Sequence, residues 1–175
     1  MTYSISEIAS ILGSKPVTLK TFTISQLLTD SRSLFYPKET LFFALETANN
    51  DGHKFVHELY DLQVRNFVVS KMQPEWEEYK DANFLEVKNT LDALQKLAIH
   101  HRNRLSIPVI GITGSNGKTI VKEWIYQLLQ PVYNVTCSPR SYNSQLGVPL
   151  SVWQLDEDTE TGLFEAGISQ PGEME

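Results

Sequence analysis

Residues 107–119, IPVIGITGSNGKT, run from a β-branched apolar stretch directly into a glycine loop that closes on Lys118 and Thr119. The apolar stretch reads as a buried strand and the loop as a phosphate cradle. Gly114 and Gly117 carry no side chain to block a polyphosphate, and they permit the positive-φ turns that aim successive backbone N–H groups inward. Ser115 and Asn116 fill the loop between them, and Lys118 adds a point charge. Thr119 puts a hydroxyl in the first turn of the next helix, within reach of a magnesium ion shared with the phosphates, whose negative charge the helix N-terminus favours. Ile120, Val121, Trp124, Ile125, Leu128 and Leu129 recur at helical spacing, and Pro131 ends the pattern. The common spacing G-x-x-x-x-G-K-[ST] is not met, because its first glycine falls on Ile112. The shorter T-G-S-N-G-K-T, set between strand and amphipathic helix, predicts an ATP site; an ordinary glycine turn is the competing reading.

The chain has 175 residues, of which 41% are hydrophobic, enough for one large domain or two small ones with a real core. Its formal net charge of -6, with no run of Lys or Arg, speaks against nucleic acid and for a nucleotide. The opening MTYSISEIASILG lacks a basic stretch and a long apolar core, and no apolar run is long enough for a bilayer. A cytoplasmic protein without membrane insertion is expected. The single cysteine, Cys137, has no internal disulfide partner and reads as a small buried hydrophobe at a strand end; no His/Cys spacing suggests zinc.

The organisation is α/β. Ser4 and Glu7 form a capping box for a helix through Leu12, with Gly13 just past its end. Strands follow at 41–45, 66–70 and 83–87, with a helix over 54–62. Residues 71–82, with Pro74 and four acids, read as a solvated connection, which divides the chain into a domain at 1–82 and a second at 83–175. Asn89 caps a helix running toward Arg104, whose His100 and His101 are assigned solvated or capping roles rather than catalysis. The second domain continues through a strand at 132–136, a loop at 137–145, an apolar segment at 150–155 and a strand at 162–166. A parallel domain of this kind needs more strands, so the sequence reads as the N-terminal part of a longer protein.

Two later segments bear on chemistry. In SYNSQLGVPL, residues 141–150, Asn143 is a candidate polar contact near the γ-phosphate, or simply part of a loop entering the next element. In FEAGISQPGEM, residues 164–174, Glu165 ends an apolar strand beside the crevice where open α/β sheets bind ligands, a place suited to holding magnesium. A solvated strand-end acid is the alternative. Glu173 is a second acid with no assigned role.

Together the T-G-S-N-G-K-T loop, N-x-x-[IL]-G-x-P at Asn143–Pro149 and E-x-G-x-x-x-x-G-E at Glu165–Glu173 resemble the Mur ligases and, for the loop, the related folylpolyglutamate synthetases. Thr29-Asp30-Ser31-Arg32, Leu41-Phe42-Phe43-Ala44-Leu45 and Asp51-Gly52-His53-Lys54-Phe55 are similar to the family's N-terminal domain, which binds a uridine-diphosphate sugar. The resemblance implies a small N-terminal Mur-type α/β domain followed by the start of a P-loop-type parallel-sheet central domain. It also implies ATP and Mg2+ as cofactors. The E-x-G-x-x-x-x-G-E form resembles the branch that joins D-alanyl-D-alanine to a UDP-muramoyl-tripeptide through an acyl phosphate.

On that reading Lys118 and Glu165 are catalytic and Thr119 and Glu165 hold metal. Gly114 to Thr119, with Asn143, take the nucleotide. Asp30, Ser31, Arg32, Asp51, Gly52 and His53 take the uridine substrate, with helix capping an equal alternative for His53. The family often has glycine where Lys38, Thr47 and Gln63 stand. Residues 58–70 and 139–143 look most like the variety fused ahead of an alanine racemase, which alone would bring pyridoxal phosphate. The alternatives are another Mur or folylpolyglutamate-type ligase, a P-loop phosphotransferase or regulatory NTPase, or a non-catalytic nucleotide-binding module within a bifunctional ligase–racemase.

Overall fold

The computed structural model describes residues 1–14, 20–47, 50–139 and 142–167. The chain divides into two compact units, Thr2–Leu97 and Ala98–Glu175, with Met1 grouped in the second.

In the first unit, β1 (Tyr3–Ser4) leads into α1 (Ile5–Leu12) and pairs antiparallel with β2 (Thr23–Ile24). The Ser4 hydroxyl accepts the Glu7 N–H at 3.2 Å, and Gly13 ends the helix in the left-handed region, as the capping box predicts. The body is a parallel sheet in the order β3 (Gln26–Leu28), β4 (Thr40–Phe43), β7 (Asn66–Val69), β8 (Asn83–Glu86). Between β4 and β7 lie a hairpin of β5 (Glu46–Thr47) and β6 (Asn50–Asp51), a 3-10 turn Gly52–Phe55 and α2 (Val56–Asp61). Leu28, Phe42, Phe67 and Val69 join Val56, Leu59 and Trp76 in one core cluster. Leu41, Phe43, Val68 and Leu85 fall on the opposite face by the period of two and are fully buried. Burial on both faces explains why these strands read as continuous apolar runs.

Two expectations are corrected here. Residues 71–82 are more than a solvated connection: Pro74–Glu78 forms a 3-10 turn that buries Trp76, stacked on Phe84 at 5.3 Å between ring centroids. Its acids are exposed, and Trp76, with Tyr79 packed against the same core, supplies the packing energy. The boundary therefore lies at Leu97/Ala98 and not at 82, because β8 pairs along its whole length with β7. Helix α3 (Thr90–Asn103), capped by the Asn89 side chain as expected, runs across that boundary.

Gln63 has φ 71 and is the one non-glycine with positive φ among the described residues. It follows α2, where a left-handed residue lets the chain turn into β7, and its side chain makes that conformation costly by about 1 kcal/mol. Gln63→Gly is expected to stabilise the protein by about 0.5–1 kcal/mol, the gain being trimmed by glycine's larger unfolded-state entropy. Urea melts of the two proteins measure this.

The second unit contains β9 (Val109–Ile112), α4 (Lys118–Leu129), β10 (Val135–Cys137), α5 (Gly147–Val152) and β11 (Thr161–Glu165). β11 lies between β10 and β9, parallel to both. The strand expected at 132–136 starts later, since residues 131–133 continue the turn that ends α4. Leu105, Leu155 and Phe164 form the core with Met1, Ile107, Val109 and Val152 around it.

The expected buried strand at the glycine loop is only half covered. Among the described residues β9 pairs with β11 alone, and Ile110 is 38% exposed. Helix α4 packs against all three strands, yet Ile120, Trp124 and Leu128 face outward and Lys122 is the residue it buries. His101 also departs from expectation. It is buried, its ring Nε2–H donates to the Leu155 carbonyl at 2.8 Å, and it lies 4.7 Å from the Trp153 ring. Burial pushes its pKa down, against a smaller upward pull from that carbonyl, so it serves as a neutral packing group.

Candidate active site

The loop at 113–117 joins the carboxyl end of β9 to the first turn of α4, with Gly114 at φ 142 and Gly117 at φ 76. Open space lies where a Cβ would stand on either glycine, so the loop forms a bare backbone concavity. Ser115 and Asn116 are exposed on it. Lys118 Nζ reaches across to donate to the Gly114 carbonyl at 2.7 Å.

Register sets the carboxylate beside this loop. Glu165, the last residue of β11, pairs with Ile112, the last of β9. Glu165 is 2% exposed, and its two oxygens accept from Thr119 Oγ1 at 2.8 Å and Asn143 Nδ2 at 2.7 Å. Its backbone N–H donates to Ser138 Oγ at 3.1 Å, and the Asn143 carbonyl accepts the Gly167 N–H at 2.7 Å. Three residues from separate parts of the sequence, Thr119, Asn143 and Glu165, are thus brought onto one point at the foot of α4. A hydroxyl, an amide and a carboxylate form a hard oxygen set suited to Mg2+, and the open loop suits a polyphosphate, so the residues present fit both groups. Glu165 is therefore no solvated strand-end acid. Glu173 and the rest of its motif lie outside the described residues.

In the first unit the candidate substrate residues follow the carboxyl ends of β3 and β4. Asp30 caps the 3-10 turn Ser31–Ser33 and forms an ion pair with Arg32 at 2.6 Å, holding its own carboxyl below the usual carboxylate range. Arg32 remains 87% exposed and can turn to a ligand. Asp51 caps the turn Gly52–Phe55. Although burial raises its pKa, hydrogen bonds from the His53 N–H, the His53 ring and Lys71 outweigh it and bring it down to about 2.

The His53 ring and the Gly52 N–H, assigned above to the uridine substrate, are engaged within the protein. The His53 side chain is 1% exposed; its Nε2 takes the Ser70 N–H at 3.1 Å, which places its proton on Nδ1, facing Asp51 at 2.6 Å. The Gly52 N–H is spent on the Leu45 carbonyl at 2.8 Å. Glu46, Asp51 and His53 lie close enough to hold a metal ion. The Nδ1 proton and Lys71, within 3.4 Å of both acids, occupy that point instead. Asp51, His53 and Ser70 also line up like a hydrolytic triad, but Ser70 Oγ donates to Glu46 at 2.5 Å and its own N–H fills the base's lone pair. These residues brace the loop.

Lys122 and Ser138 were not evident from sequence. A lysine in a helix and a serine after a strand look like solvated polar residues, and no spacing marks either one as buried.

A parallel α/β unit with a bare glycine loop, a lysine across it and a buried carboxylate bonded by the following helix is the arrangement of a candidate nucleotide site. Residues 112–175 match the family profile described as Mur ligase middle domain. Over those residues the chain belongs to the Mur ligase middle-domain family. It is 35% identical over 152 residues to the UDP-N-acetylmuramoyl-tripeptide–D-alanyl-D-alanine ligase of Bacillus subtilis, covering 87% of this chain and 32% of that one. It is 37% identical over 142 residues to the ligase of the same name from Borreliella burgdorferi, covering 78% and 31%. Among solved structures, MurF ligase from Thermotoga maritima in complex with ADP superposes with a TM-score of 0.71 at 27% identity, over 84% of this chain and 33% of that one. The fold is also that of the corresponding Acinetobacter baumannii ligase, with a TM-score of 0.89 at 24% identity, over 99% and 38%. The chain spans about a third of the length of the curated relatives it matches. Their names are those of the ligase alone, and the resemblance to a racemase-fused form finds no support among them.

Proposed function

We propose that this chain carries the uridine-substrate and ATP-binding parts of a UDP-N-acetylmuramoyl-tripeptide–D-alanyl-D-alanine ligase of cytoplasmic peptidoglycan precursor synthesis. The observation that carries this reading is the buried Glu165, held by Thr119 and Asn143 beside the open glycine loop. In the reaction, the γ-phosphoryl of ATP passes to the terminal carboxylate of the tripeptide, giving ADP and an acyl phosphate. The amine of D-alanyl-D-alanine then attacks the acyl carbon, an amide forms and inorganic phosphate leaves.

Within this scheme the loop amides from Gly114 to Gly117 bind phosphate oxygens, and Lys118 leaves its carbonyl partner to add positive charge on the transferred group. Thr119 and Glu165 would hold Mg2+, which when bound draws charge from the phosphate oxygens. Asn143 keeps the carboxylate turned toward the loop. In the first unit, exposed Arg32 with Ser31 is assigned to the uridine diphosphate. Asp30 and Asp51 orient that edge, and Gly52 and His53 shape the loop behind it.

Calorimetric titration with ADP and Mg2+, together with amide chemical-shift mapping on adding uridine diphosphate, tests both halves. Nucleotide shifts are expected at 114–119 and uridine shifts at 30–32 and 51–53. Lys118→Ala should weaken nucleotide binding about tenfold or more, as loss of one charge-assisted hydrogen bond does, with the circular dichroism spectrum unchanged. Equal affinity in a folded variant would remove Lys118 from the site.

A further inference from the structure

Lys122 is one helical turn beyond the loop lysine and has no place in the scheme above. Its side chain is fully buried, with 0% exposure. Burying an amine costs free energy unless good partners meet it, and an apolar side chain would fill the same space without that cost. Its Nζ donates to the Ser138 carbonyl at 2.7 Å and lies 3.4 Å from the half-exposed Glu123 carboxylate. Ser138 is itself 2% exposed. Its N–H donates to the Leu163 carbonyl, and its hydroxyl accepts the N–H of Glu165. Helix α4 is thus tied to Glu165 twice. Thr119 bonds the carboxylate directly, and Lys122 reaches the backbone of the same residue through Ser138.

We propose that Lys122 is a positioning residue for the metal–nucleotide site: by holding the Ser138 peptide it fixes the end of β11, and so sets where the Glu165 carboxylate meets Thr119. The proposal rests on the nucleotide reading above. Thr119 stands in the first turn of α4 and Lys122 in the second, so the two ties grip the same end of the helix and resist rotation of Glu165 about its strand. Supporting groups behind a metal ligand commonly change metal affinity by about 10–100-fold when removed. Lys122 and Ser138 occupy that supporting position.

The test is calorimetric titration of the 175-residue protein with ADP, with and without Mg2+, for wild type, Lys122→Met, Lys122→Arg and Ser138→Ala. Wild type should bind ADP more tightly when Mg2+ is present. Lys122→Met should lose that metal-dependent gain by about tenfold or more, with metal-free ADP affinity changed by less than about twofold. Lys122→Arg should recover part of the gain. Ser138→Ala should show the same selective loss, and combining it with Lys122→Met should add little, since both break one chain of contacts.

A folded Lys122→Met protein that keeps the full metal-dependent gain overturns the proposal. So does an equal loss with and without metal, which would mean a general packing role. If Lys122→Met does not fold, Ser138→Ala decides the matter, and an unchanged metal response there overturns the proposal. If wild type binds ADP with no metal dependence, the metal assignment of the proposed function fails and this inference falls with it. Intact wild-type behaviour with unaffected variants removes the inference alone.

Discussion

Replacing Glu165 by glutamine is expected to leave the second unit folded and to remove Mg2+-dependent nucleotide binding, with an affinity loss of about 10²-fold in the presence of the metal. The volume of the side chain is unchanged, so the packing of β11 between β9 and β10 survives. What changes is the donor and acceptor balance. Glu165 accepts from both Thr119 and Asn143, and the amide introduced by Glu165→Gln has one accepting oxygen and one NH2 group. The Thr119 hydroxyl can rotate and accept, which spends the lone pair that a metal would use. The negative charge is lost as well. Thermal melting and ADP titration with and without Mg2+ read the two effects separately. Undiminished metal dependence in Glu165→Gln would show that another group holds the ion.

Gly52→Ala is expected to unfold the first unit or destabilise it by more than about 3 kcal/mol, among the largest effects of any single substitution. A Cβ there would stand 2.7 Å from the Leu45 nitrogen and 2.9 Å from both the Ala44 carbonyl carbon and the Leu45 oxygen. All three are backbone atoms, so no rotamer change relieves the overlap. The same approach makes the 2.8 Å bond from the Gly52 N–H to Leu45, which anchors the turn carrying Asp51 and His53 to the end of β4. Chemical denaturation of the variant checks the expectation. A midpoint within error of wild type would mean that the turn moves away from β4 without cost.

The glycine loop, the helix after it and the strand that ends on Glu165 were legible because each depends on local backbone chemistry. Glycines at 114 and 117 mark positive φ, the run of apolar residues before them marks a strand, and Pro131 marks the end of α4. The capping of α1 by Ser4 and of α3 by Asn89 was legible for the same reason, since a cap lies within three residues of what it bonds. The boundary between units was misread because four acids near Trp76 look like a solvated linker, whereas the indole is what packs. The inward packing of His53 was not legible because Ser70, whose N–H bonds one ring nitrogen, is 17 residues away.

By itself, then, the sequence determined the two-part α/β character, the glycine loop with Lys118 and Thr119, and the residue types able to hold a nucleotide and a metal. These follow from short-range rules of φ, capping and periodicity. Only the tertiary structure decided that Glu165 pairs with Ile112 at the edge of that loop, that Asn143 turns to the same carboxylate, and that α4 buries Lys122 while Trp124 faces outward. Strand order is the physical reason. Placing β11 between β9 and β10 joins residues 22 to 46 positions apart, and no local preference of the chain encodes which side of a helix will meet that sheet.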